Sequence, residues 1–136
     1  MNVTSLLYAD DVVLINSCPN RLQTSLTKLD ETCKTFGMKV SYSKTKVMKI
    51  GRKQETINLK LGSNEIEQVS QFTYLGTVFS EDGKLNNEIQ NRTNKANAVG
   101  FQLSRCFFSK KEVSERTKLV VYNSIFRPVL TYGCES

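Results

Sequence analysis

The chain has 136 residues, 39% of them hydrophobic and 24% charged, with a formal net charge of +6 and a pI near 9.2. This composition fits one soluble globular domain or a domain fragment and excludes a disordered chain. No apolar run is long enough to cross a bilayer, and Met1 to Leu7 is too short for a signal peptide.

Two short β-prone runs open the chain, residues 3–8 and 12–16, separated by Ala9-Asp10-Asp11. Two such runs around a tight polar connection read as a β-hairpin. Ser17 is then a candidate cap and Pro19 suits the first turn of a helix. Leu22, Leu26, Leu29, Cys33 and Phe36 recur at helical spacing, and Gly37 follows as a stop. Strands are expected at 46–50 and 57–61, with a turn at Gly62-Ser63-Asn64. Residues 71–79 read as one aromatic-rich strand, in which Gly76 marks a bulge or a close backbone approach.

After the turn at Glu81-Asp82-Gly83 the pattern becomes helical. Leu85, Ile89, Arg92, Ala96, Val99 and Leu103 trace one face. Ser109-Lys110-Lys111-Glu112 has the capping-box pattern and opens a second helix with Val113, Val120 and Val121 as core positions. Pro128 is expected to disrupt that helix near Arg127. The organisation is therefore a mixed portion, 1–82, followed by a helical portion, 84–136.

Charge is uneven across that division. Residues 1–83 carry ten basic and nine acidic side chains, and residues 84–136 carry nine and four. The basic tail suits a polyanionic partner such as nucleic acid, or is a solvated helix surface. There is no histidine, and Cys18, Cys33, Cys106 and Cys134 form no CxxC pair. A Cys/His zinc site is not expected; Cys33 and Cys106 read as small core residues in a reducing, intracellular setting, nuclear or cytoplasmic.

The chemistry-bearing feature is Asp10-Asp11. Adjacent carboxylates on a firmly held tip repel unless a cation or water intervenes. A tight turn can aim both at one site, and an oxygen-rich pair of this kind suits Mg²⁺ together with substrate phosphates. Lys44 and Lys46 lie in a stretch, Lys39 to Lys60, with seven basic residues and one acid, Glu55. They read either as phosphate contacts or as a solvated basic surface. Phe72 and Tyr74 share a strand face.

In these segments the sequence resembles the reverse transcriptases of non-LTR (LINE-type) retrotransposons and similar group II intron enzymes. The resemblance is carried by Leu6-Leu7-Tyr8-Ala9-Asp10-Asp11-Val12-Val13, by Ser41-Tyr42-Ser43-Lys44-Thr45-Lys46 (with Ser41 in place of the family's Asn), by Phe72-Thr73-Tyr74-Leu75-Gly76 and by Tyr132-Gly133-Cys134-Glu135. It implies an α+β fold: the C-terminal part of a polymerase palm, an antiparallel hairpin sheet plus helix, followed by a helical thumb. It also implies RNA-directed DNA polymerisation with Mg²⁺ or Mn²⁺, an RNA template, a DNA primer and a deoxynucleotide. Asp10 would be the main metal ligand and Asp11 its partner, with Tyr8 and Ala9 lining the site near the primer end. Lys44, or alternatively Lys46, would contact the nucleotide phosphates. Phe72, Tyr74, Leu75 and Gly76 would form the primer grip, and 84–127 the thumb. A two-metal site needs another carboxylate, which in the family lies upstream of the hairpin. The expectation is a fragment missing the N-terminal reverse transcriptase segment and inactive alone. The alternative is a non-catalytic nucleic-acid-binding module derived from a retroelement.

Overall fold

The computed structural model describes residues 4–51 and 55–134. The chain forms two compact units, Met1–Ser70 and Gln71–Ser136.

In the first unit, β1 (Ser5–Tyr8) and β2 (Asp11–Leu14) form the expected antiparallel hairpin, with Tyr8 opposite Asp11 and Ser5 opposite Leu14. The expected first run began at Val3, which lies outside the described residues. Helix α1 (Pro19–Thr35) follows. Its N-cap is Cys18, whose side chain caps nothing, so the expected cap at Ser17 is replaced by Pro19 in the first turn. Gly37, at φ +70°, ends the helix in a Schellman arrangement: Gly37 N–H donates to Lys34 O (3.1 Å) and Met38 N–H to Cys33 O (2.8 Å). Phe36, expected on the apolar face, is the C-cap residue and stands exposed.

The predicted strands at 46–50 and 57–61 shrink to β3 (Lys46–Val47) and β4 (Lys60–Leu61). Two glutamine side chains do the work of missing strand partners, satisfying backbone groups that cannot be left unpaired. Gln23 accepts from Lys60 N and donates to Lys60 O, both at 2.8 Å. Gln68 accepts from Ile57 N at 2.7 Å and donates to Glu55 O at 3.2 Å. Strand β4 pairs antiparallel with β5 (Asn64–Glu65) around the expected Gly62 turn, whereas β3 pairs parallel with β6 (Glu67–Gln68). Leu26 of α1 closes a core with Val47, Leu59, Leu61 and Ile66, and Leu14 and Leu22 pack against it. That contact anchors the hairpin through β2.

In the second unit the expected single strand at 71–79 is a hairpin: β7 (Gln71–Tyr74), a Leu75-Gly76 turn and β8 (Thr77–Ser80). Both turn residues have positive φ, +47° and +82°, as a type I′ turn requires. Helix α2 (Asn86–Leu103) carries Ala96 into the interior and continues through a π-type turn at Ser104–Phe108. Of its expected apolar face, Leu85 and Ile89 are exposed instead. Gly100 serves close packing, because a Cβ there would lie 3.0 Å from the Phe126 ring. Cys106, expected in the core, is exposed.

The next helix starts later than its capping-box pattern suggests. Ser114 caps α3 (Glu115–Val121), accepting from Thr117 N–H. Pro128 does not end the helical run. A π-type turn at Tyr122–Phe126 precedes α4 (Arg127–Thr131), where Pro128 occupies the first turn, a position needing no N–H partner. Among the described residues no helix is long and apolar enough to cross a membrane. The architecture is mixed α and β, as expected.

Candidate functional site

The hairpin register decides what Asp10 and Asp11 share. Cross-strand partners point to the same face, so Leu6, Tyr8, Asp11 and Val13 lie on one side of the β1–β2 ribbon and Ser5, Leu7, Val12 and Leu14 on the other. Leu14 is packed on the core. Tyr8 and Asp11 therefore stand together on the opposite face, with Asp10 beside them in the two-residue turn. Ala9 holds φ +51° in that turn, a left-handed conformation costing an L-residue about 1–2 kcal/mol. Both aspartates are exposed, and neither carboxylate makes a hydrogen bond or ion pair among the described residues.

Oxygen donors of this kind match the preference of Mg²⁺. They are nevertheless only part of a ligand set: among the described residues no three His, Cys, Asp or Glu side chains converge. Several other acids are engaged elsewhere. Asp30 pairs with Lys34, Glu67 with Lys46, Glu55 with Lys49 and Glu88 with Arg92, each at 2.5 Å.

The two candidate lysines differ. Lys46 sits on β3 and its Nζ is held by Glu67 of β6. Lys44 lies on a single turn over residues 41–45, closed by Thr45 N–H and Oγ1–H to Ser41 O at 3.0 and 2.7 Å. Tyr42 fixes this turn to β5 through its hydroxyl, which donates to Glu65 O at 2.7 Å. Lys44 is exposed and has no ion-pair partner among the described residues.

Phe72, Tyr74, Leu75 and Gly76 belong to the second unit. Phe72 faces Phe79 and Tyr74 faces Thr77 across the hairpin, so the two aromatic rings share a face, as their spacing predicts. The Leu75-Gly76 turn is held from behind by Arg92, expected only as part of a helix face, and by Tyr132, expected only as part of the Tyr132-Gly133-Cys134-Glu135 segment. Tyr132 Oη–H donates to Leu75 O at 2.7 Å, and Arg92 Nη2 donates to Gly76 O. Arg92 also donates through Nε to Glu88 Oε1 at 2.5 Å, and its guanidinium lies 4.6 Å from the Tyr132 ring centroid. Glu88 Oε2 accepts from Val78 N–H of β8 at 2.6 Å. Burial pushes the Glu88 carboxyl up, but the Val78 N–H and the Arg92 guanidinium outweigh it and hold the group below its ordinary range. The legible signal for this cluster was the Glu88–Arg92 spacing, an i,i+4 acid–base pair on the helix face that also carries Ala96.

The profile of the family described as reverse transcriptase (RNA-dependent DNA polymerase) matches residues 1–79, which include the β1–β2 and β7–β8 hairpins apart from Ser80. A transposon-derived protein of Caenorhabditis elegans is 30% identical over 141 residues, covering 99% of this chain and 49% of that protein. The chain thus spans about half the length of the curated relative it matches. No solved structure matches it.

Proposed function

Because the chain belongs to the reverse transcriptase (RNA-dependent DNA polymerase) family, we propose that it contributes half of a two-metal nucleotidyl-transfer site and a primer-binding hairpin, in the manner of a LINE-type retrotransposon polymerase. One observation carries the reading: Tyr8-Ala9-Asp10-Asp11 caps a core-anchored hairpin with both carboxylates exposed and uncommitted. In such sites, divalent cations activate the attacking 3′-hydroxyl and stabilise the leaving pyrophosphate.

Asp10 and Asp11 supply two carboxylate ligands for that chemistry, and Tyr8 and Ala9 floor the position of the primer end. Lys44, mounted on a fixed turn, supplies a point charge for the nucleotide phosphates. Phe72 to Gly76 hold the primer terminus, and the basic helical segment follows the duplex backbone in the manner of a thumb. The division into a partial palm, 1–82, and a thumb, 84–136, belongs to this reading, as does an intracellular location with an RNA template and a DNA primer.

Two carboxylates from one turn leave the metal set incomplete, so the 136-residue chain binds primer–template but does not extend it. Fluorescence anisotropy with a DNA primer on an RNA template is expected to show binding that weakens at least about ten-fold between about 50 and 200 mM salt. A Mg²⁺-supplemented extension assay with the same chain is expected to give no product. Salt-independent binding contradicts the nucleic-acid reading, and template-dependent extension contradicts the half-site reading.

A further inference from the structure

We infer that Tyr132 and Arg92 are positioning residues for the Leu75–Gly76 peptide, and that they aim the Gly76 N–H outward at a phosphate of bound nucleic acid. The inference rests on reading the β7–β8 hairpin as a primer-binding element.

The direction follows from peptide planarity. In a trans peptide the C=O and the N–H of the next residue point opposite ways, and the described chain has no cis bond. Leu75 O points at Tyr132 Oη, so the Gly76 N–H points away from Tyr132. That N–H finds no acceptor among the described residues. The next carbonyl, Gly76 O, is held by Arg92. Both carbonyls of the turn are thus tied down by side chains remote in sequence, and the turn cannot rotate its amide inward.

The hold is rigid. The Arg92 side chain is only 12% exposed and that of Glu88 10%. Arg92 therefore acts through the turn rather than by reaching for a ligand itself. Its charge is matched by Glu88, so the Gly76 N–H, and not the guanidinium, is the group offered to an anion. The Tyr132 segment is seated tightly: a Cβ on Gly133 would lie 2.8 Å from Thr77 Oγ1. The clamp also explains why leucine can occupy a left-handed position. Such strain persists only where the surroundings over-determine it.

The test uses the 136-residue chain and a fluorescein-labelled DNA primer on an RNA template. Single uncharged methylphosphonates replace each phosphate near the primer 3′ end in turn. For the native chain one position is expected to weaken binding about ten-fold or more, the worth of one hydrogen bond to a charged phosphate. In Tyr132→Phe that penalty falls to under about two-fold, and Arg92→Lys, which keeps the charge but loses the fork, behaves likewise. In ¹H–¹⁵N spectra the Gly76 amide shifts on adding duplex to the native chain and stays in place in Tyr132→Phe, a readout that survives a modest loss of stability. Equal penalties at every position in native and Tyr132→Phe chains, with an unchanged Gly76 response, overturn the inference while leaving primer binding intact. Absence of any duplex binding by the native chain overturns the primer-binding reading and this inference with it.

Discussion

Ala9 and Leu75 are the non-glycine residues with positive φ among those described, and each sits in the turn of a hairpin assigned to function. A side chain in that region costs about 1–2 kcal/mol, so replacing Leu75 by glycine is expected to raise stability by up to about 1 kcal/mol in urea unfolding, after allowing for the extra freedom of unfolded glycine. A clear loss of stability would show that the Leu75 side chain packs well enough to repay its strain. Gly76 was legible as a special position, because glycine in an apolar strand has few other reasons to be there. Leu75 was not, since nothing in a leucine announces left-handed backbone. Glu88 was likewise invisible as a buried acid; its Val78 and Arg92 partners make burial tolerable. Its carboxyl titrates below the ordinary 4.5 when folded, so its stabilising contribution is present above about pH 4.5 and is lost as pH falls through the lower folded value. Glu88→Gln is expected to cost about 2 kcal/mol at neutral pH, the worth of charged hydrogen bonds. The gap between native and variant should close on acidification; a gap that persists unchanged at low pH contradicts the assignment.

At the scale of elements, strong periodicity was read well and boundaries less so. Helix α1 was legible because Leu22, Leu26, Leu29 and Cys33 mark one stripe and Gly37 stops it. Helix α3 was misplaced because Ser109-Lys110-Lys111-Glu112 has the capping-box letters, whereas Ser114 makes the bond. Ser114→Ala is therefore expected to cost about 1 kcal/mol and Ser109→Ala little, measured by urea unfolding; the reverse order would restore the sequence-based boundary. The expected strand at 57–61 was too long because Gln23 and Gln68 complete its backbone bonding from their side chains. Periodicity cannot show that substitution, which depends on residues distant in the chain. The continuation through Pro128 was missed for a related reason: the preceding π-type turn leaves proline in a first-turn position.

For the molecule as a whole, the family assignment and the acidic hairpin were legible because their residues are contiguous, while the Glu88–Arg92–Tyr132 clamp joins distant segments that only the fold brings together. The β1–β2 ribbon has strand edges on both sides and leaves Leu6, Leu7, Val12 and Ile15 exposed, which suits a piece of a wider sheet. A chain covering half of its transposon-derived relative can carry such a piece without carrying a complete site. The central claim is that Asp10 and Asp11 form a metal-binding half-site. It is tested most directly by titrating Mn²⁺ into ¹⁵N-labelled chain and following paramagnetic broadening. The expected result is broadening centred on Tyr8 to Val12, abolished in Asp10→Asn/Asp11→Asn while the remaining spectrum is unchanged. Broadening absent from that turn, or equally strong in the double variant, would contradict it.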